Sequence, residues 1–236
     1  MRVRVRALAA GKHGNEPEEY EDAYWPRRAF ARSAIRCAVA DGATEASFSG
    51  VWARLLVESY RRGALRTDLA ALPLLQRRWR EHVASKSLPW YAEEKARLGA
   101  FSSLLGITVE NGYWQAMAVG DSCLFHVRDG AVLTAFPIEH SDDLSAAPHL
   151  ISSLPANNKL LTGHLRIAQG TAETGDTLYV MTDALAGWFL RRVEDGHPLH
   201  ELAELHPRTF PAWLDTQRAN RSIRNDDTTV IRINIL

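Results

Sequence analysis

Five aspartates stand near likely strand edges, most of them directly beside a short apolar run, where an ionised carboxylate is costly unless it is paired or binds a cation. Asp41 directly follows the apolar run 34–40, and Asp183 closely follows the run 178–181. Any one of the five can be interpreted as a turn or helix-capping residue, because aspartate is common in turns. Five that converge would form an oxygen-rich cage suited to Mg²⁺ or Mn²⁺. The sequence therefore predicts a divalent metal site with Asp22, Asp41, Asp121, Asp183 and Asp226 as candidate ligands. Asp41 and Asp183 carry most of this argument, and residue type and position alone do not assign Asp22.

Apolar periodicity predicts the strands and helices that must position these acids. Residues 3–7 alternate with arginine, as in a strand with one buried face, and 34–40 is typical of a buried strand. Helical spacing marks 51–65, with Ser49 or Gly50 as its start. Asn111-Gly112 and Asp129-Gly130 predict hairpin turns. Further helices are predicted at 72–83, 90–98, 184–192, 199–205 and 210–218, and further strands at 103–109, 114–119, 124–127, 132–135, 165–168, 178–181 and 228–235.

The order of these elements indicates an α+β fold. Strands and helices do not alternate, so a doubly wound parallel sheet is excluded, and antiparallel sheets covered by helices fit the order. No linker composition interrupts the 236 residues, so we expect one domain over 1–236. Residues 137–158 are polar and weakly periodic, and we expect a long surface excursion there.

Composition excludes some classes of function. Lysine plus arginine (28) balances aspartate plus glutamate (28), which argues against a general nucleic-acid binder. No apolar run approaches the ~20 residues of a membrane span, and the N-terminus lacks the apolar core of a signal peptide. Cys37 and Cys123 form no CxxC spacing and are expected to be small buried thiols. We therefore expect a cytoplasmic protein that binds neither membrane nor nucleic acid.

An ordered set of motifs resembles a known family. Each motif alone is common, but five in order at fitting distances are specific. The set resembles the metal-dependent protein phosphatases of type 2C, in a divergent bacterial branch, and spans Glu21 to Val230. The resemblance implies a four-layer αββα sandwich of two antiparallel sheets flanked by helices. The motifs are Glu21-Asp22-Ala23, Val39-Ala40-Asp41-Gly42, Val119-Gly120-Asp121-Ser122, Thr182-Asp183 and Asp226-Asp227-Thr228-Thr229-Val230.

The resemblance also implies roles for the acids. Asp41 would bridge two divalent cations, Mn²⁺ or Mg²⁺, and the carbonyl of Gly42 would be a further ligand. Asp183 and Asp226 would bind the first ion. Asp22 would hold metal-bound water, directly or through a neighbour. Asp121 would share a weaker third ion with Asp183.

The implied reaction is hydrolysis of phosphoserine and phosphothreonine in a protein substrate. Two divalent ions ~3.5–4 Å apart hold a hydroxide that attacks phosphorus, and they offset charge on the transferring oxygens. Neither cysteine begins a Cys-x5-Arg loop, which argues against a cysteine-dependent phosphatase. Bacterial relatives often oppose a serine/threonine kinase, which would be the partner enzyme.

Several positions depart from the family pattern. The arginine that often precedes the Glu-Asp motif and grips the substrate phosphate is missing, so this role falls to Lys12, to His13 or to water. Ala184 replaces a glycine, and Cys123 replaces an arginine. A histidine proton donor found in eukaryotic members is also missing after Asp41-Gly42, so the leaving group would take its proton from metal-bound water or another group.

Other polar residues have two interpretations each. Glu45 and Ser47 either contact substrate or cap the following helix. The segment 77–80 (Arg-Arg-Trp-Arg) is interpreted as a solvated helix face with its tryptophan inward, not as a nucleic-acid patch. Residues 137–158 are the candidate flap that shapes substrate choice; its acids would add to the site, and its histidines would tune pH response or simply be exposed. These residues are Asp142, Asp143, His140 and His149, with His164 nearby.

Three functions therefore stay open at this point. The first is an active serine/threonine protein phosphatase, which the complete set of acids favours. The second is a pseudophosphatase, a binding or regulatory module on the same fold, which the missing arginine and Ala184 favour. The third is a phosphatase that acts mainly on something other than serine/threonine phosphoproteins.

Overall fold

The computed structural model describes residues 1–43, 48–145 and 147–236. Within these ranges the chain forms thirteen β-strands and seven α-helices, with three short 3₁₀ helices. The strands are β1 (Val3–Ala10), β2 (Ala23–Trp25), β3 (Arg28–Ala31), β4 (Ala34–Ala40), β5 (Phe101–Ser102), β6 (Leu104–Glu110), β7 (Tyr113–Val119), β8 (Cys123–Arg128), β9 (Ala131–Phe136), β10 (Ile151–Ser152), β11 (Arg166–Thr171), β12 (Thr177–Met181) and β13 (Thr228–Ile235). The helices are α1 (Ser49–Arg61), α2 (Leu72–Ala84), α3 (Trp90–Arg97), α4 (Leu161–His164), α5 (Asp183–Glu194), α6 (His200–Glu204) and α7 (Phe210–Ala219).

Two antiparallel sheets form the centre of the molecule. The first has six strands in the order β3-β1-β13-β12-β8-β9, and the second has five in the order β11-β7-β6-β4-β2. The short strands β5 and β10 pair with each other. The central strand β13 pairs along its whole length with β1, from Val3↔Ile235 to Ala10↔Thr228, which ties the two ends of the described chain together.

Three hydrophobic cores separate four layers. Alternate residues of the strands, such as Val5 on β1 and Val39 on β4, meet between the sheets. The other face of the first sheet packs against α5 to α7, through residues such as Phe189. The other face of the second sheet packs against α1 and α2, where Trp52 and Trp79 are fully buried. The predicted αββα sandwich is confirmed.

Most elements lie where the sequence pattern predicts them. Helix α1 begins at Ser49, and its residues at helical spacing, such as Trp52 and Leu56, face the second sheet. Both predicted hairpin turns have left-handed backbone at two successive residues, Asn111-Gly112 and Asp129-Gly130, as type I′ turns require. Strands β2, β3, β5 and β10 and helix α4 were not predicted, because two to four residues are too few to show a period.

Parts of the candidate flap 137–158 are buried. A 3₁₀ helix covers Ser141–Ser145, and β10 pairs with β5. Ile151 has no exposed surface, and Trp52 Nε1 donates a 2.8 Å hydrogen bond to its carbonyl oxygen. This end of the excursion therefore belongs to the packed structure.

The two cysteines are free and buried, as expected. Burial raises the pKa of both thiols, which leaves them protonated and unreactive at neutral pH. Across the described ranges, none of the helices has the length and apolar character needed to cross a membrane.

Candidate functional site

The register of both sheets brings the predicted acids to one end of the sandwich. In the first sheet Met181 pairs with both Val230 and Cys123, so the chain after β12 lies beside the residues that precede β13 and β8. Asp183, Asp226 and Asp121 occupy those three positions. In the second sheet Ala23 pairs with Ala40, which places Asp22 and Asp41 side by side in the same way.

Four of the acids line one cavity of about 360 Å³. They are Asp41, Asp121, Asp183 and Asp226, and the carbonyl-bearing Gly42 lies beside them. Asp22 borders a larger neighbouring cavity of about 770 Å³ that also contains Lys12. The structure therefore brings together all five acids predicted from the sequence, with Asp22 on the far side of the group.

Asp22 is held by two threonine hydroxyls. Its side chain is buried, and Oδ2 accepts hydrogen bonds from Thr229 Oγ1 (2.7 Å) and Thr182 Oγ1 (3.1 Å). Thr229 also shares a short hydrogen bond with the hydroxyl of Tyr20. The sequence did not predict this role for the two threonines, although each belongs to one of the five family motifs. They position one oxygen of Asp22, and the other has no donor among the residues that the structure describes.

The turn after β4 is anchored at Asp41 and needs glycine at position 42. The Asp41 amide donates to Ser103 Oγ (3.1 Å), and the Asp41 carbonyl accepts from the Ser103 amide (2.9 Å). A Cβ on Gly42 would lie 2.9 Å from the Glu21 carbonyl oxygen and 2.9 Å from the Ser49 carbonyl carbon. Both neighbours are backbone atoms, so the side chain of Asp41 is held by a turn that has no room for another residue type.

Burial, with mutual repulsion added to it, raises the pKa values of three acids of the cluster. Burial raises the pKa of Asp41 well above its usual range, and the charges of four neighbouring aspartates raise it further. Burial likewise raises the pKa of Asp22, against the opposing effect of the Thr229 hydrogen bond. Burial and the charge of Asp183 raise the pKa of Asp121 to about 7. A bound divalent cation would reverse these effects, because it favours the ionised form of each carboxyl group.

Arg224 lies within the acidic cluster, a position that the sequence did not predict. Its Nη2 contacts Asp183 Oδ2 directly, and its Nε is 3.3 Å from Asp226 Oδ2. The guanidinium also lines the cavity that contains Asp41 and Asp121. Its position two residues before Asp226 was the only sequence signal for this contact.

Lys12 and His13 occupy different environments. Lys12 Nζ is 3.1 Å from Asp226 Oδ1, so this residue does reach the cluster. The His13 ring is exposed, lies 3.7 Å from the carboxylate of Asp215, and lines none of the cavities around the acids. Of the two phosphate-binding candidates, only Lys12 adjoins the predicted site.

Asp227, the neighbour of Asp226, supports the backbone around the site. It is buried, and its carboxylate accepts hydrogen bonds from the Lys12 amide (2.9 Å) and the Glu21 amide (2.7 Å). It thereby holds the segment before Asp22 against the start of β13. Asp226 therefore faces the cavity, while its neighbour Asp227 supports the backbone.

The donor chemistry fits a hard divalent cation. Two buried carboxylate oxygens, Asp22 Oδ1 and Asp183 Oδ1, have no hydrogen-bond partner among the described residues. Carboxylate oxygens are the ligands that Mg²⁺ and Mn²⁺ prefer. In the same ranges, no group of three or more histidine, cysteine, aspartate or glutamate side chains is arranged to hold a metal ion as it stands. The acids are therefore of the right type and in the right region, but they are not a preformed cage.

The remaining sequence candidates lie outside the cluster or outside the described residues. Glu45 and Ser47 are among the residues that the structure does not describe. Trp79 is buried, as expected for the segment 77–80. An adjoining cavity of about 190 Å³, which shares Asp121 with the acidic cavity, is lined by Asp143 and by the stacked rings of His149 and His164, whose centroids are 3.4 Å apart. Asp142 and His140 line neither this cavity nor that of the acids.

Comparison with known proteins agrees with this architecture. The family model described as Protein phosphatase 2C matches residues 12–224. Among curated proteins, none matches the chain. The serine/threonine phosphatase PstP/Ppp of Mycobacterium tuberculosis has 19% sequence identity and a TM-score of 0.58, with 100% of this chain and 99% of that chain covered.

Two further solved structures have similar folds. The catalytic domain of the phosphatase PstP in complex with two manganese ions has 18% identity and a TM-score of 0.56, with 98% of each chain covered. The serine/threonine phosphatase of S. agalactiae has 15% identity and a TM-score of 0.59, with 99% of this chain and 100% of that chain covered. At these identities the likeness concerns the fold.

Two antiparallel sheets between helical layers, matched over their full length by phosphatase structures, define an α+β sandwich of the phosphatase type. The family model covers most of the sequence as well. The chain belongs to the protein phosphatase 2C family.

Proposed function

We propose that this protein is a metal-dependent phosphatase that hydrolyses phosphoserine and phosphothreonine in proteins. The observation that carries the proposal is the collection of Asp41, Asp121, Asp183 and Asp226 around one cavity, at the ends of strands from both sheets. Membership of the protein phosphatase 2C family supports the same reaction. The fold is shared with a PstP domain that binds two manganese ions, which supports Mn²⁺ as the ion for the first assays.

The residues present suggest how two divalent ions, Mn²⁺ or Mg²⁺, would be held. Asp41 would bind both, and the Gly42 carbonyl would be a further ligand to one of them. Asp183 and Asp226 would complete the first site, and Asp22 would hold metal-bound water, directly or through a neighbour. Asp121 would contribute to a weaker third ion with Asp183. When bound, such ions supply an activated water at neutral pH and offset negative charge on the phosphoryl oxygens.

The candidate flap gives this site a wall. Leu144, Ala147, Pro148 and Leu150 all belong to 137–158 and line the same cavity as the four acids. We therefore propose that this segment shapes the choice of phosphorylated protein substrate. A serine/threonine kinase acting on the same substrate is the expected opposing enzyme. The two free thiols fit a reducing compartment, and we propose the cytoplasm.

A pseudophosphatase is the second candidate function. The observation that favours it is that the described acids do not form a ready metal-binding group and that Arg224 lies between two of them. Such a protein would bind phosphoproteins or a regulatory partner without turnover.

Hydrolysis assays separate the two functions. The purified chain would be tested on p-nitrophenyl phosphate and on a phosphothreonine peptide, with Mn²⁺ and with chelator, beside Asp41→Asn. Asp129→Asn is the matched control, because Asp129 is exposed in a hairpin turn at a backbone conformation that asparagine also adopts.

We expect Mn²⁺-dependent turnover in the wild type and in Asp129→Asn, and its loss in Asp41→Asn. If the metal-loaded wild type shows no turnover above the Asp41→Asn background, the protein is not an active phosphatase. Mn²⁺ binding without turnover would support the pseudophosphatase. Strong preference for a free phosphorylated metabolite over the peptide would show that the substrate class is wrong.

A further inference from the structure

Arg224 supplies positive charge to a cavity that otherwise contains only acidic and uncharged residues. The cavity is lined by Asp41, Asp121, Asp183 and Asp226, and Arg224 is the only basic residue among its described lining residues. Its side chain is 55% exposed, so the guanidinium is partly open to solvent while it contacts Asp183 and Asp226. It belongs to the connection between α7 and β13 and not to a helix or strand.

The other basic candidates do not occupy this position. Lys12 contacts Asp226 from the side of the larger cavity, and its backbone amide is bonded to Asp227. His13 is turned toward Asp215, and its backbone is bonded to Asn225. Within the described ranges, Arg224 is therefore the cation placed where a phosphate group would meet the acids.

We propose that Arg224 is a displaceable cation of the active site: it compensates Asp183 and Asp226 in the metal-free protein, and it binds the substrate phosphate when divalent ions take over those carboxylates. The inference rests on the proposed phosphatase function and names the residue that would recognise the phosphate. It fills the role left open by the missing family arginine.

The chemistry of the guanidinium fits both partners. Arginine presents several donors in a planar fork that matches the two oxygens of a carboxylate and, equally, two oxygens of a phosphate. A divalent ion and a guanidinium compete for the same carboxylate oxygens, because each neutralises the same charge. Metal binding and substrate binding would thus use Arg224 in succession.

The first experiment measures Mn²⁺ affinity without any turnover. Mn²⁺ is titrated calorimetrically into chelator-stripped wild type, Arg224→Gln and Arg208→Gln. Arg208 is the matched control, because it is exposed in the loop before α7 and lines none of the cavities around the acids. Removing the competing cation should lower the Mn²⁺ dissociation constant of Arg224→Gln about tenfold, which is about 1.4 kcal/mol. Arg208→Gln should match the wild type.

The second experiment measures phosphate affinity in the Mn²⁺-saturated proteins. Inorganic phosphate is titrated into each variant at Mn²⁺ concentrations that saturate it. Loss of the fork should raise the phosphate dissociation constant of Arg224→Gln about tenfold or more, since a charge-assisted hydrogen-bond pair is removed. The control should again match the wild type.

The proposal requires both changes. If the Mn²⁺ affinity of Arg224→Gln is unchanged or weaker, Arg224 does not compete with the metal. If the phosphate affinity is unchanged, Arg224 does not bind phosphate. Either result overturns the proposal. Both titrations are independent of catalysis. A wild type that binds Mn²⁺ and phosphate but hydrolyses nothing would therefore contradict the proposed function and leave this inference intact.

Discussion

The substitution Asp22→Asn should make the metal-free protein more stable, although it alters a buried, hydrogen-bonded side chain of the site. Asp22 is 3% exposed, and its Oδ1 has no hydrogen-bond partner among the described residues. Burial and the charges of Asp227 and Asp183 raise its pKa well above the usual value of 3.8. Asparagine keeps an oxygen that can accept from Thr182 and Thr229, and it is neutral at every pH.

The expected gain is about 1–2 kcal/mol in the free energy of unfolding at pH 8 in chelator. The removed desolvation penalty of an unsatisfied buried group is about 1–3 kcal/mol, and an imperfectly bonded asparagine amide returns part of it. For a chain of this length, such a gain corresponds to a rise of about 3–6 °C in melting temperature.

The sign of the pH dependence follows from the direction of the pKa shift. Below the unfolded pKa of about 4, the carboxyl group is protonated in both states and has no effect. Because the pKa of Asp22 is higher in the folded protein, the unfolded chain releases this proton at lower pH than the folded protein does, so the stability of the metal-free wild type falls as pH rises above that value. The advantage of Asp22→Asn should therefore be small near pH 4.5 and larger at pH 8.

Mn²⁺ should reduce or remove this advantage. A ligand at 100 times its dissociation constant stabilises the wild type by about 2.7 kcal/mol, and a tenfold weaker site in Asp22→Asn gains only about 1.4 kcal/mol. Urea denaturation at pH 4.5 and pH 8, with chelator and with Mn²⁺, measures all four values, and Asp129→Asn is the control. An Asp22→Asn protein less stable than the wild type in chelator at pH 8, or an advantage independent of pH, would refute the reasoning.

Two further predictions concern the turn at the site and a distant ion pair. Gly42→Ala should lose about 1–3 kcal/mol of stability in urea denaturation and should bind Mn²⁺ poorly, because its Cβ would meet two backbone atoms at 2.9 Å. Gly163→Ala is the control: its Cβ would meet nothing within 4 Å, so its stability should be close to that of the wild type. Asp176→Asn should lower the free energy of unfolding by about 3 kcal/mol, because the buried carboxylate accepts hydrogen bonds from His126 (2.8 Å) and twice from Arg128 (2.7 and 2.9 Å). Its Mn²⁺ affinity, measured by calorimetry, should not change, because Asp176 lies at the opposite end of β12 from Asp183. A neutral Gly42→Ala, or an Asp176→Asn protein with altered Mn²⁺ affinity, would contradict these assignments.

The sequence predicted the fold well where elements are long. Strand β13 and helices α1 and α2 show clear periods, and the Asn-Gly and Asp-Gly turns specify their hairpins chemically. The sequence also predicted which acids gather at one end, because each stands at the end of a strand. The period of a strand does not indicate which distant strand it pairs with. The pairing of β1 with β13, for example, depends on the packing of the whole sheet.

The features of the site that the sequence did not predict depend on which way a side chain points, and not on its residue type. Asp226 and Asp227 are identical residues, yet one faces the cavity and the other binds the amides of Lys12 and Glu21. Arg224 lies in a connection without regular structure, where no periodicity states which way a side chain points. Lys12 and His13 are adjacent, and only the structure separates the one that reaches the cluster.

The site exists only because the two sheets are packed together. Asp22 and Asp41 belong to strand ends of the second sheet, and Asp121, Asp183 and Asp226 to strand ends of the first. The apolar core between the sheets therefore holds these carboxylates buried and near one another, and burial together with their mutual repulsion raises the pKa values of Asp22, Asp41 and Asp121. Arg224 and Lys12 offset part of that cost in the metal-free protein. When folding assembles a metal site, the free energy of metal binding stabilises the folded state. The repulsion that destabilises the metal-free protein would therefore favour the binding of a divalent ion.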